Sequence, residues 1–524
     1  MLSSTRPSPR PLWFFIGGLA FALWLHIFLA DSKRPVSTQE RADRLAAANI
    51  LGLELTADSP PSPAHWAQRD VWQDTETGAR HPLSRDSAAL LIAGCLGNAT
   101  AASILAFGLA AGALAWCLSG PLAVSGTLGW LVPALTLVGV AHGRAWQMVD
   151  PFPFALLASA ALALGAWLRF RADYSKPNAG LVGAGGAALL LCEPALFIPF
   201  WIAIMIDLWL RRRASASRQE PAWSRLAPAL LALCPVFLFW GLRNQILMGN
   251  PFYSPAGDYI DRFVSAPRWF WQLLAVPPPN LDPVFERYDE LVAIPGARWG
   301  NPVYQSWLLR FHDGAGYAGG IVLTTAALLA AILLPWRETC APALMALGML
   351  IVAALRYPLS SAWWPFATPA LACMCLLGVS RARAAIAESS GAKLLVAFAV
   401  IHAISLSFAP TAKPTQPEYD FEKRLDEVVK KLRETDGRHL VFIQVDTAVD
   451  GRIEPANLTR AWSNQRLLFA RDLKPEKNAA LVEAMPDYKP WSMVVFRDRI
   501  GLKPWKDSAS PASSADTTSV SPGS

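Results

Sequence analysis

The chain has 524 residues, of which 53% are hydrophobic and only 17% charged, and its mean hydropathy is +0.29. Soluble domains carry about 25% charged residues, so this composition excludes an ordinary soluble protein. The net charge of +7 lies mostly in short loops between apolar runs, with no basic helix or aromatic-basic interleaving, which argues against a nucleic-acid partner.

The seven cysteines all lie in or beside apolar runs, so a disulfide framework in the polar C-terminal region is excluded. Cys373-Met-Cys375 has no His or carboxylate nearby and reads as small apolar residues in a span. The seven histidines show no zinc spacing.

Residues 1–11 are short and basic. Residues 12–30 form the first apolar run. It is too long for a signal-peptide core and is followed by charge, so it predicts an uncleaved helix with a cytoplasmic N-terminus. The polar segment 31–86 comes next. Within it, residues 40–52 (ERADRLAAANILG) place Leu45, Ala48 and Leu51 at helical spacing, with charges on the other face. That pattern predicts a helix lying in the membrane interface. Pro60-Pro61-Ser62-Pro63 breaks the chain, and Trp66 and Trp72 are aromatics of the interfacial kind.

Residues 87–117 predict a short juxtamembrane helix, an interruption at Gly97-Asn98, and a span. Further spans are predicted at 121–140, 152–167, 179–191, 195–210, 226–242, 316–336, 340–355, 362–379 and 394–408. With the first run this makes about eleven transmembrane helices. A second long polar segment covers 243–315. The connections near 119, 169–178, 211–225, 337 and 381–393 hold most of the short-loop Arg and Lys, which places them in the cytoplasm. Both long loops and the C-terminal region then face outward.

Residues 410–505 read as a small soluble α/β domain. Helices are predicted at 419–434 and 475–484, the second with Pro475 in its first turn, and strands at 439–445, 466–470 and 491–496. Residues 506–524 are rich in Ser, Pro and Ala and are expected to be disordered. Asn457-Leu458-Thr459 is a formal sequon that carries no weight here.

Four groups of residues could carry chemistry. Glu40 and Asp43 form an acidic pair just outside the first span. Such a pair can deprotonate an acceptor hydroxyl or hold a divalent cation against a phosphate. Carboxylates also favour any solvated helix N-terminus, and spacing alone favours that reading. Arg243 and Asn244 close the seventh span, where a guanidinium could grip a lipid phosphate or simply snorkel. The second loop mixes Arg262, Arg268, Trp269, Trp271, Arg298 and Trp299, which suits an anionic headgroup, a sugar, or a plain interfacial loop. Glu193-Pro194 separates two apolar runs and predicts the outward end of a hairpin, where a carboxylate costs little.

Together these pieces resemble the GT-C-type membrane glycosyltransferases, and more closely a poorly characterised bacterial set among them. Residues 243–255 (RNQILMGNPFYSP) are similar to that set's "YN…TGNP…P" segment. Residues 467–478 (LLFARDLKPEKN), with Pro486-Asp487 and Trp491, are similar to its C-terminal signature. The resemblance implies a GT-C-like helical body in the cytoplasmic (inner) membrane with an extracytoplasmic α/β domain. It implies sugar transfer from a polyprenyl-phosphate donor to an acceptor on the extracytoplasmic face.

By position, Glu40 would be the catalytic carboxylate, with Asp43 as substitute. Arg243, Asn244 and Arg268 would bind the donor phosphate. A divalent cation, Mg or Mn, would be the one cofactor. The chain departs from the family at Gln39, which stands where an Asp is expected, at Glu193 in place of Arg, and at Arg243 in place of Tyr. Gln39 opens the alternative of a non-catalytic relative that binds lipid-linked glycan or acts as a membrane scaffold. A transporter is a third class, disfavoured by spans built mostly of Ala, Leu and Gly.

Overall fold

A computed structural model describes residues 10–28, 38–52, 72–74, 80–82, 86–119, 128–144, 150–214, 226–248, 320–355, 365–384, 388–407, 416–445, 466–473, 475–495 and 500–505. The Pro60–Pro63 break, Trp66, the second-loop set including Arg268, the sequon and residues 506–524 lie outside the described residues. The chain forms two compact units. One comprises Met1–Ala30, Ala99–Gln245 and Asn250–Ala412, and the other Asp31–Asn98, Ile246–Gly249 and Lys413–Ser524.

The first unit is helical. Its helices are α1 (Arg10–Phe28), α4 (Ala99–Leu118), α5 (Leu128–Arg144), α6 (Phe152–Ala172), α7 (Lys176–Cys192), α8 (Pro194–Ala214), α9 (Ala227–Met248), α10 (Ile321–Leu333), α11 (Trp336–Leu355), α12 (Thr368–Ala384) and α13 (Glu388–Ser407). Each falls on one of the apolar runs read from the sequence. Among the described residues, four of them are long and apolar enough to cross a membrane: Pro11–Phe28, Ala99–Leu118, Phe152–Ala172 and Ala227–Ile246. Several of the others are shorter. The 13 residues of α10, for example, reach about 20 Å against a hydrocarbon core of about 30 Å.

Small residues set the packing of this unit. α4 packs on α1 and α6, and α6 on α7. A Cβ on Gly185 of α7 would meet the Ala163 Cα of α6 at 2.6 Å. One on Gly183 would meet the Ala229 carbonyl oxygen of α9 at 2.0 Å. Backbones come this close only where no side chain intervenes, as in membrane bundles generally.

The second unit holds α2 (Thr38–Leu51), the antiparallel ribbon β1 (Trp72–Asp74) and β2 (Arg80–Pro82), and α3 (Asp86–Gly94). It also holds the C-terminal elements α14 (Gln416–Glu434), β3 (Arg438–Val445), β4 (Leu467–Arg471), α15 (Pro475–Ala484), β5 (Tyr488–Val495) and β6 (Ile500–Pro504). The four C-terminal strands form one mixed sheet in the order β4-β3-β5-β6, with β3 parallel to both neighbours and β6 antiparallel to β5.

Alternation along the central strand gives this sheet two cores. Val441 and Ile443 join Leu425 and Leu432 of α14, Phe469 and Met493 on one face. Leu440 and Phe442 join Leu468, Leu481 and Met485, beside α15, on the other. The result is a three-layer α/β/α domain. The fourth strand, β6, was not expected from the sequence.

Candidate functional site

α2 is a short helix with both candidate carboxylates in its N-terminal half. Its first residues carry Glu40 and Asp43, whose charge suits the positive end of the helix dipole. It stops at Gly52, whose amide donates to the Ala48 carbonyl at 3.0 Å. Asp43, Leu45, Ala46, Ala47 and Asn49 are buried, whereas Ala48 and Leu51 face out. α2 packs along α3 and touches β2. α3 meets it with Ser87, Ala88, Ala89, Ile92 and Ala93, mostly small residues that allow a close approach.

This burial corrects the reading of Asp43 as a solvated N-terminal charge. Only 1% of Asp43 is exposed. A carboxylate taken this far from water is shielded from bulk solvent. Arg44 Nε and Ser87 Oγ in the same unit are buried without a hydrogen-bond partner among the described residues. Neither residue was singled out from the sequence. Ser87 carries no sequence signal beyond opening an apolar helix. The Glu40 backbone sits one helical turn before Asp43, and the Glu40 side chain lies outside the described residues.

α3 ends in a tight turn before Asn98. The Gly97 amide donates to the Ile92 carbonyl at 2.8 Å and the Leu96 amide to Ala93 at 2.9 Å. This is the paired bonding of a Schellman stop. Leu96 takes the left-handed position, with φ 53°, where glycine is usual.

The predicted phosphate binders lie in the helical unit. Arg243 and Asn244 are consecutive on α9, Arg243 half-buried and Asn244 buried. α9 runs past them to Met248, so Arg243 sits within the last turns and does not cap the helix. Glu193 also differs from expectation. It forms the expected hairpin between α7 and α8, but it is buried, with its amide donating to the Leu189 carbonyl at 2.8 Å.

A third polar cluster, unforeseen from the sequence, lies in the helical unit. Asp207 of α8 is buried. It accepts a hydrogen bond from Trp167 Nε1 at 3.0 Å, and Arg171 Nε lies 2.9 Å away. One turn of α6 supplies both partners. Next to it, Arg169 stacks on the Trp116 ring and donates to the Trp116 carbonyl at 2.7 Å. An Asp inside an otherwise apolar run was the signal available for this cluster. With its partners in place, the cluster ties α6 to α8.

The C-terminal signature has a structural explanation. Buried Asn478 of α15 donates to Asp472 Oδ1 at 2.7 Å and accepts from the Leu473 amide at 3.3 Å, which locks the turn between β4 and α15. Trp491 Nε1 donates to His439 Nδ1 at 3.0 Å. Nε2 of the same ring lies 3.0 Å from the Thr435 carbonyl, which fixes the proton on Nε2.

Among the described residues, no three His, Cys, Asp or Glu side chains converge as a metal site would require. Compared with known proteins, the chain matches no family model and no curated sequence.

Proposed function

We propose that this chain is a multi-pass protein of the cytoplasmic membrane, with about eleven crossings and a cytoplasmic N-terminus. In this reading it transfers a sugar from a polyprenyl-phosphate donor to an acceptor on the extracytoplasmic face. The observation that supports it is the buried Asp43 carboxylate, one helical turn from Glu40, in the segment that directly follows the first span. A carboxylate shielded from water is suited to take a proton from an acceptor hydroxyl. Arg243, Asn244 and Arg268 are assigned to the donor phosphate, where a guanidinium offers paired N–H donors. A divalent cation, Mg or Mn, would draw its protein ligands from Glu40 and Asp43 and the rest from phosphate oxygens and water. No step above depends on it.

A second reading keeps the lipid-linked glycan and drops the transfer. Gln39 supports it, because an amide cannot accept the proton that the expected Asp would take. Replacing the chromosomal copy with Glu40→Gln and, separately, Asp43→Asn separates the two. Envelope glycans are profiled by mass spectrometry against the wild type and a deletion strain. Transfer chemistry predicts that at least one variant reproduces the deletion profile at unchanged protein level. Wild-type glycans in both variants, where the deletion alters them, would leave only the binding role.

A further inference from the structure

An open groove of about 770 Å³ lies between α8 and α9 in the helical unit. Its lining is wholly apolar. Phe197, Trp201, Met205 and Trp209 follow one another at four-residue spacing along α8, and Leu230 and Leu233 face them from α9. Both helices lean on α7. α8 packs along it, and α9 touches it where Gly183 faces Ala229, so the two are held on a common support. From Phe197 to Trp209 the stripe covers about 18 Å of helix axis, close to the roughly 15 Å depth of one leaflet's hydrocarbon.

What lies beyond the stripe indicates its occupant. The positions three and four residues after Trp209 are Arg212 and Arg213, with Arg211 just before them. Apolar groove, aromatic collar and basic turn therefore follow one another along a single helix. An acyl chain fits the groove, Trp favours the headgroup boundary, and clustered Arg favours an anionic headgroup. By the charge bias of the short loops this end of α8 is cytoplasmic.

We infer that the α8/α9 groove is a binding site for one anionic diacyl phospholipid of the cytoplasmic leaflet, its acyl chains along Phe197–Trp209 and its phosphate at Arg212 and Arg213. The site does not require glycosyl transfer.

The test is native mass spectrometry of the delipidated full-length protein in mild detergent, titrated with dioleoyl-phosphatidylglycerol or dioleoyl-phosphatidylcholine. The wild type should retain one phosphatidylglycerol about tenfold more tightly than phosphatidylcholine. Arg212→Gln with Arg213→Gln should bring the two lipids within about twofold, and Met205→Trp, which fills the groove, should weaken both. Size-exclusion profiles matching the wild type show that each variant is folded. If one variant misfolds, the other still decides. Equal affinity for both lipids in the wild type would overturn the inference, as would a phosphatidylglycerol preference that survives loss of both arginines. A wild-type dimer that Met205→Trp converts to monomer would assign the groove to a second copy.

Discussion

The two units bury their polar groups on opposite principles. In the helical unit the main buried charge, Asp207, is clamped between Trp167 and Arg171 on a neighbouring helix, and the surrounding backbones close in over glycine and alanine. In the second unit Asp43 is buried on a short helix, and the same unit holds Arg44 Nε and Ser87 Oγ, buried atoms with no partner among the described residues. Burial alone therefore does not mark a working carboxylate. The first arrangement fastens two helices together, whereas in the second the Arg44 Nε and Ser87 Oγ atoms leave hydrogen-bonding capacity unspent.

Substitution at the two aspartates is the strongest test of that contrast. Asp207→Ala leaves Arg171 as a buried charge without its counter-ion, and should cost about 3–5 kcal/mol. A fall in apparent melting temperature in detergent would register it. The near-isosteric Asp43→Asn should shift the same midpoint little while altering envelope glycans. Equal thermal losses at both sites would erase the distinction between them. Gly183→Ala drives a methyl into the Ala229 backbone and should cost about 2–3 kcal/mol, again read from the melting midpoint.

In the sheet domain, Asn478→Ala removes two bonds from the β4–α15 turn and should cost about 1–2 kcal/mol. Faster amide hydrogen exchange in β4, with the helical unit unchanged, is the expected sign. The smallest effect is a gain. Leu96→Gly relieves the left-handed backbone after α3 and should add about 1 kcal/mol. Slower proteolysis at the α3–α4 junction would report it.

Much of the fold was legible because its signals are local. Apolar runs marked the helices, and Gly97-Asn98 marked the break between α3 and α4. The short apolar run at 439–445 marked the central strand, which the structure shows as β3 with its two cores. What escaped depends on partners distant in sequence. β6 reads Ile-Gly-Leu-Lys-Pro, a poor strand by propensity that forms because β5 offers it a ladder. Asp43 looks solvated in the sequence and is buried in the fold. Asp207 gains its meaning only when α6 brings Trp167 and Arg171 to it. The crossing number was less legible than helix identity, since a run can form a helix and still fall short of the bilayer.

The composition of the second unit also sets an order of events during synthesis. Its first part, Asp31–Asn98, emerges early, and its last, Lys413–Ser524, follows about 300 residues later. At the usual pace of about 5–20 residues per second, the wait is roughly 15–60 s. Throughout that interval α2, α3 and the β1–β2 ribbon have only one another, while the helical unit is being made. The unit that holds Asp43 is thus begun before most of the helical unit is made and completed after it.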